Sequence, residues 1–180
     1  MRDYAKIDIK MEVNMLDELW LEDTSDSMKG RYLTFALGNE VFGVGINYVK
    51  EIIGLQPINP IPEAPEHVKG IINLRGKVFP VIDMRLKFKK LPEPYTDRTC
   101  IIVIDTQQHT VGLIVDKVAE VLTLQDEDIA PPPGSWTGPG RRYLSGVGMR
   151  GEHIILLLDC EMLFTEEEIA INQENDSASE

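Results

Sequence analysis

The stretch GIINLRGKVFPVIDMRLKF, residues 70–88, decides the fold of this chain. Runs of β-branched and aromatic residues lie on both sides of Arg75-Gly76, and such runs bounded by glycine and proline are typical of β-strands. The pattern predicts two strands joined by a tight turn at Arg75-Gly76. Arg75 is an unusual turn residue, because its long cationic side chain lies next to an apolar core. It can cap carbonyls at a strand end, or lay its aliphatic part on apolar surface and keep its guanidinium in water.

A second copy of this stretch follows later in the chain, GVGMRGEHIILLLDCEMLF at residues 146–164. Arg150-Gly151 occupies the place of Arg75-Gly76 there, and the segments before the two copies also match. Residues 41–53 align with residues 110–122 at a constant offset. The chain therefore contains an internal repeat.

The repeat covers residues 31–165, with one copy at about 31–90 and the other at about 99–165. Each copy contains several short strand patterns with turn signals every few residues, which is typical of small β-barrels. The sequence therefore predicts a mainly β fold of two barrels related by an approximate two-fold axis, with short helices between the strands.

Two helical segments are predicted in addition. INYVKEIIG, residues 46–54, has apolar residues at spacings of three and four, which predicts a short helix or helical turn that ends at Gly54. EMLFTEEEIAIN, residues 161–172, predicts a C-terminal helix. Thr165 is its expected N-cap, and the glutamates that follow are favoured in a first helical turn. Residues 173–180 are predicted to be a polar tail, so residues 166–180 form an acidic helix end and tail.

Two proline-rich segments are predicted to lie outside the central strands. PINPIPEAP, residues 57–65, is expected at a sheet edge or as a connection, because proline cannot donate a ladder hydrogen bond. APPPGSWTGPGRRY, residues 130–143, predicts an irregular loop. Trp136 in this loop either folds back on a barrel or faces a partner.

The net charge of −12 is concentrated at the two ends of the chain. Residues 1–30 contain eight acidic and four basic residues, and residues 166–180 contain six acidic residues and no basic one. Nucleic-acid binding requires clustered cations, so this distribution argues against nucleic acid and against anionic membrane surfaces. The longest apolar run, residues 154–158, is far too short to span a membrane.

Residues 1–30 form an N-terminal extension whose pattern is weak. Alternating residues over 3–13 suggest a strand, and residues 14–22 have helical spacing. The extension is either a flexible tail or a segment that adds to a sheet edge or docks Trp20 on a partner. It has no apolar core of a signal peptide.

The sequence predicts no enzyme, no metal site and no cofactor. The three histidines are isolated and lack partners at metal-ligand spacing, so we expect them at the surface. Asp83 and Asp159 could suggest a catalytic carboxylate pair. Their equivalent positions in the repeat instead indicate structural aspartates at strand ends in different barrels. Cys100 and Cys160 lie in apolar strand patterns, which favours buried thiols over a disulfide.

The repeated segments resemble the CheW-like domain family, the coupling proteins of bacterial chemotaxis. The motif Asn73-Leu74-Arg75-Gly76, followed by Pro80 and Asp83, is highly specific to that family. The resemblance covers about 31–165 and leaves the N-terminal extension outside. The family also includes the regulatory domain of the CheA histidine kinase and the N-terminal half of CheV, and the stand-alone coupling protein fits this chain best. The resembling segments are YLTFALGNEVFGVGINYVKEIIG, APEHVKGIINLRGKVFPVIDMRLKF, TVGLIVDKVAEVL and YLSGVGMRGEHIILLLD.

The resemblance implies two five-stranded SH3-like barrels on a common core. It also implies a cytoplasmic adaptor that binds methyl-accepting chemoreceptors and the CheA regulatory domain in membrane-associated receptor arrays, without inserting into the membrane itself. In the family the receptor tip, a helical hairpin, lies in a groove between the barrels. The positions that match this groove are Ile46, Val49, Glu51, Ile52, Arg75 and Val121. Ile46 and Ile52 could equally be core residues.

The resemblance further implies kinase contacts at the outer ends of the barrels, one contact per barrel. Ile129, Pro131 and Trp136 are the candidates at one end. Ile58, within residues 57–61, and Lys69 are the candidates at the other. Two other classes of function remain as alternatives. One is a ligand-binding or adaptor β-barrel module for a different sensory histidine kinase pathway, and the other is a hydrolase or transferase, for which the sequence has no suitable residue cluster.

Overall fold

The computed structural model describes residues 28–168, and this part of the chain is mainly β, as predicted. The predictions for residues 1–27 and 169–180 lie outside the described residues. Single 3₁₀ turns occur at Ile46–Tyr48, Asp126–Asp128 and Pro139–Tyr143. The strands and the short helix α1 are β1 Arg31–Leu37, β2 Glu40–Gly45, β3 Val49–Gly54, β4 Val68–Leu74, β5 Lys77–Asp83, α1 Met84–Lys87, β6 Cys100–Asp105, β7 Thr110–Val115, β8 Lys117–Thr123, β9 Ile129–Ala130, β10 Leu144–Arg150 and β11 His153–Leu158.

The strands form two sheets whose orders match each other. The first sheet has the order β8-β1-β2-β11-β10-β9 and the second has the order β3-β6-β7-β5-β4. The two orders are equivalent strand by strand. The hairpin β1-β2 corresponds to β6-β7, β8 corresponds to β3, and β10-β11 corresponds to β4-β5. Apart from the two-residue strand β9, each sheet therefore has five strands, and the internal repeat is visible in the topology.

Each sheet nevertheless contains strands from both halves of the sequence. β1 pairs antiparallel with β8, and β3 pairs antiparallel with β6. The parallel pairs also cross between the halves, because β11 lies beside β2 and β5 lies beside β7. Neither copy of the repeat forms a sheet by itself.

The helix predicted over residues 46–54 is wrong beyond Tyr48, because Val49–Gly54 is strand β3. Its register against β6 shifts between Val49 and Glu51. This bulge places Val49 and Ile52 on the buried side although they are three residues apart. A bulged strand therefore produced the spacing of a helix.

The turn at Arg75-Gly76 is confirmed, with φ of 53° at Arg75 and 86° at Gly76. The backbone N–H of Gly76 donates to Asn73 Oδ1 at 2.9 Å and fixes the turn. In the second hairpin Arg150 pairs with His153, as Leu74 pairs with Lys77 in the first. Arg150 is thus a strand residue equivalent to Leu74, so the sequence match of Arg150 with Arg75 is wrong by one residue.

The core lies between the sheets and inside each of them. The largest cluster contains buried residues of both sheets, and two smaller clusters belong to one sheet each. Both cysteines are buried and neither forms a disulfide, as predicted. Asp83 and Asp159 each accept backbone N–H groups just beyond a strand, so both are structural caps in different sheets, again as predicted.

The start of the C-terminal helix follows the prediction as far as the structure describes it. Residues 166–168 are helical. Thr165 Oγ1 accepts from the N–H of Glu168 at 3.3 Å, and Glu168 Oε2 accepts from the N–H of Thr165 at 2.8 Å. This reciprocal pair is a capping box, which confirms Thr165 as the N-cap.

Candidate functional site

An exposed ion pair joins Arg75 in the β4-β5 turn to Glu51 on β3. Arg75 Nη2 donates to Glu51 Oε2. β3 and β4 are the two ends of the strand order in the second sheet, so the pair connects the open edges of that sheet. The Arg75 side chain is 70% exposed and that of Glu51 is 23% exposed. An ion pair this exposed contributes little to the free energy of folding, so a role in binding explains its geometry better.

A shallow groove of about 190 Å³ surrounds this pair. Lysines and apolar side chains share its walls, so charge and apolar surface meet there. A guanidinium has five donors, and Arg75 can keep its bond to Glu51 while donating to a partner. The lining residues are Lys50, Glu51, Leu74, Arg75, Lys77, Phe79, Val103 and Thr110.

Three of the predicted receptor-groove residues lie in the core. Ile46 is 1% exposed, and Val49 and Ile52 are 2% exposed. Their side chains have no surface that a partner could touch, so the core alternative left open for Ile46 and Ile52 describes their place. They support the backbone of β3 beneath Glu51.

The remaining predicted receptor residues are divided between the sheets. Glu51 and Arg75 are in contact, and Asn73, Leu74 and Gly76 build the turn beside them. Val121 is a half-buried residue of β8, in the other sheet, where it packs against the largest core cluster.

Two of the predicted kinase-binding residues occupy equivalent places on the two sheets. Ile58 precedes Asn59, which forms a bridge with Ile71 of β4. Ile129 precedes Ala130, which pairs with Val147 of β10 in the same way. Both isoleucines are half-buried. They lie against Gly70 and Gly146 respectively, since a Cβ on either glycine would meet the isoleucine Cγ2 at 2.9 or 3.0 Å.

The other kinase candidates are exposed near these two places. Lys69 is exposed on β4, and Pro131 is exposed directly after β9. Trp136 is 39% exposed, and its indole lies against Gly138 in the same loop. Trp136 is thus partly presented to solvent, and the contact of its indole with Gly138 lies within its own loop.

A buried charged cluster was missed by sequence reasoning. Lys87 Nζ donates to both carboxylate oxygens of Glu168 at 2.8 and 3.0 Å, and His67 Nε2 contacts the same carboxylate. The Lys87 and Glu168 side chains are each 3% exposed. Burial alone would raise the pKa of Glu168, but bonds from Lys87 and Thr165 and the Lys87 charge lower it. The sequence placed Glu168 only among the glutamates of the first helical turn, and no sequence signal identified Lys87 or His67 as its partners.

No helix in the described part of the chain is long and apolar enough to cross a membrane. Residues 28–168 contain no group of three or more His, Cys, Asp and Glu side chains that could hold a metal ion.

Two mixed sheets of matching order around a shared core define a double SH3-like β-barrel domain. The model of the CheW-like domain matches residues 31–168, most of the chain, and the chain belongs to this family. It is 40% identical over 140 residues to the chemotaxis protein CheW of Klebsiella aerogenes, covering 78% of this chain and 84% of that protein. It is 34% identical over 143 residues to CheW of Treponema pallidum, covering 76% and 83%.

A solved structure has the same architecture. The crystal structure of the scaffolding protein TtCheW from Thermoanaerobacter tengcongensis aligns with a TM-score of 0.70 at 32% identity. The alignment covers 77% of this chain and 90% of that one. The similarity therefore extends over nearly the whole scaffolding protein.

Proposed function

We propose that this chain is a chemotaxis adaptor that couples methyl-accepting chemoreceptors to the CheA histidine kinase. Membership of the CheW-like domain family carries this proposal. Its curated relatives are chemotaxis proteins, and its structural neighbour is a scaffolding protein. An adaptor acts through binding surfaces alone and performs no catalysis. Its place in the cell is the cytoplasm, where it is recruited to receptor arrays at the inner face of the membrane.

The receptor surface proposed here is centred on Arg75 and Glu51. A helical hairpin presents polar and apolar side chains together, and the groove around this pair offers cations beside the half-buried Leu74. Charged groups of this kind contribute orientation and partner discrimination more than affinity. Val121, on β8 of the first sheet, is the remaining candidate for receptor contact. Val49 and Ile52 are buried beneath β3, and Ile46 is buried in the turn before it.

The kinase surfaces proposed here are the equivalent edges of the two sheets. Ile58 and Lys69 lie at one edge, and Ile129, Pro131 and Trp136 lie at the other. The matching placement of Ile58 and Ile129 supports one kinase contact per barrel. An adaptor with two such edges can connect two kinase domains in an alternating assembly.

A pair of calorimetric titrations tests the proposal. The purified chain is titrated with a CheA regulatory domain and, separately, with a receptor cytoplasmic tip. We expect saturable binding to both. Arg75→Glu should weaken only receptor binding and Trp136→Ala only kinase binding, so each variant is the control for the other. Absence of heat and of co-elution with either partner, for a folded protein, would contradict the adaptor function.

A further inference from the structure

The segment between the two halves lies over the end of β5 and the start of α1. Arg85 Nη1 donates to the carbonyl of Leu91 at 3.0 Å, and the Tyr95 hydroxyl donates to Asp83 Oδ2 at 2.8 Å. Burial, and then the bond to Asp83, raise the pKa of Tyr95. This segment leads directly into β6. In the second sheet, therefore, the chain that precedes the first hairpin strand covers the capping aspartate, which is only 7% exposed.

Within residues 28–168, the equivalent surface of the first sheet is more exposed. β1 is the counterpart of β6, and Asp159 directly follows β11, where Asp83 is the last residue of β5. A groove of about 790 Å³ runs here between the start of β1 and the end of β11. Asp159 is half-buried rather than buried, and Met162, the counterpart of half-buried Leu86, is 53% exposed. The residues that line it include Met28, Tyr32, Tyr48, Ser145, Leu158 and Cys160.

The groove begins where the described chain begins. Met28 lines this groove and also an adjoining groove of about 490 Å³, and Asn47 and Tyr48 are shared by both. The pKa of Tyr48 is raised by burial and then by the carboxylate of Glu161, so this ring lies close to the segment after β11. The groove thus has aromatic and aliphatic parts at Met28, Tyr32 and Tyr48, with Lys29, Arg31, Asn47 and Asp159 among its polar lining residues, and it begins where the described chain begins.

The preceding chain has the composition and the length to cover this surface. Leu16, Leu19, Trp20 and Leu21 form its apolar group nearest to Met28. The eight residues from Trp20 to Met28 span at most about 28 Å when extended. Trp20 can therefore reach any part of a groove that starts at Met28. Burying an indole contributes a large apolar area, while its N–H can remain at the wet rim.

We propose that the N-terminal segment of this chain docks into the Met28–Tyr48–Cys160 groove with Trp20 as its anchor, as the segment before β6 covers the equivalent surface of the second sheet. The occupant is a part of the same chain. The inference does not depend on the adaptor function, since it concerns a contact within one molecule.

Tryptophan fluorescence of the full chain tests this contact. The variant Trp136→Phe leaves Trp20 as the single indole. We expect emission at short wavelength and a quenching constant for acrylamide severalfold lower than that of free tryptophan amide. Adding Asn47→Arg, which introduces a long cation where the two grooves meet, should shift the emission to the red and restore quenching. Ser135→Arg, the same change in side-chain charge on an exposed loop residue, should change neither.

Several results would overturn the proposal. One is quenching of Trp20 as free as that of the amide. Another is protection that survives Asn47→Arg in a folded protein, which places Trp20 elsewhere. Protection that disappears on dilution would assign the contact to a second copy.

A photo-crosslinking experiment decides the point even if Asn47→Arg does not fold. p-Benzoylphenylalanine in place of Trp20 should form intramolecular crosslinks to residues 28–32, Tyr48 or residues 158–162, identified by mass spectrometry. Crosslinks to other parts of the chain, or only between chains, would refute docking in this groove.

Discussion

Arg75 combines a left-handed backbone with an exposed guanidinium tied to Glu51. Its turn was predictable from sequence, because an Arg-Gly pair between two apolar strands leaves few other conformations. Its partner was not, because Glu51 is 24 residues away and on the opposite end of the strand order. The burial of Val49 and Ile52 could not be predicted either. An isoleucine or valine in the core and one that lines a groove have the same sequence pattern.

Reversing the charge of Arg75 should separate its binding role from its structural role. In Arg75→Glu the new carboxylate faces Glu51, and receptor affinity should fall tenfold or more, by about 1.4 kcal/mol or greater. The free energy of unfolding should change by about 1 kcal/mol or less, because the lost ion pair is exposed. Receptor titration and urea denaturation measure the two quantities.

Lys89→Glu is the matched control for this variant. Lys89 is also exposed and also has a positive φ, 57° against 53° for Arg75, so both substitutions meet the same backbone cost. We expect Lys89→Glu to bind receptor normally. Loss of the cooperative unfolding transition in Arg75→Glu alone would assign Arg75 to the fold instead.

The hairpin β4-β5 depends on a close backbone approach at Gly70. A Cβ there would lie 2.1 Å from the carbonyl oxygen of Asn59, and φ is 146°. Gly70→Ala should therefore destabilise the protein by on the order of 2–4 kcal/mol and displace the edge segment that carries Ile58. Urea denaturation and hydrogen exchange of residues 57–61 measure these effects.

Gly151→Ala supplies the comparison for that substitution. Gly151 has a φ of 61°, but a Cβ there would meet nothing within 4 Å. Gly151→Ala should therefore destabilise the protein only through the strained backbone conformation of the alanine, by about 1–2 kcal/mol. Equal destabilisation by both variants would show that the approach of Asn59 to Gly70 is unimportant.

The ion pair between Lys87 and Glu168, in the first turn of the C-terminal helix, should make the stability of the protein sensitive to acid. The pKa of Glu168 is below its ordinary value of 4.5 in the folded protein, because the bonds and charge of Lys87 outweigh burial. A lowered folded-state pKa contributes stability above the unfolded value, and this contribution is lost as pH falls below about 4.5. Glu168→Gln should therefore lower stability at neutral pH and flatten its decline below pH 4.5.

Glu167→Gln tests whether this effect belongs to the buried carboxylate. Glu167 lies in the same turn but is exposed. Its substitution should leave the stability profile between pH 3 and 7 close to that of the unmodified protein. Parallel profiles of all three proteins would contradict a role for the Lys87–Glu168 pair.

The sequence predicted which segments form strands better than it predicted which strands pair with each other. Apolar runs rich in β-branched residues indicated strands at β1, β2, β6 and β7, whereas the bulge in β3 imitated helical spacing. The one-residue error between Arg75 and Arg150 has a different origin. Arg75 lies in the turn of its hairpin, whereas Arg150 is the last strand residue before the turn, so the two similar Arg-Gly pairs occupy different positions.

The described part of the molecule should unfold as a single cooperative unit, because each sheet contains strands from both halves of the chain. The sequence predicted two related barrels, but residues 46–54 had the spacing of a helix, so the pairing of β3 with β6 could not be predicted. We expect one calorimetric transition, with the calorimetric and van't Hoff enthalpies equal. Two transitions would show that the sheets unfold independently.

A chain that has been cut between residues 89 and 98 should elute as one particle in gel filtration, because the strand pairings between the two halves hold the fragments together.

The pairing of strands from the two halves of the chain also affects how the protein folds during its synthesis. The hairpin β1-β2 is synthesised before its two neighbours, β8 and β11, so Val41 can pair with Ile155 only after β11 has been made. Until then the hairpin has two unpaired edges, which are prone to associate with other chains. The first sheet can form completely only after residues 153–158 have left the ribosome. Nascent-chain protection by a chaperone is therefore expected to matter more for this protein than for one whose barrels form in sequence.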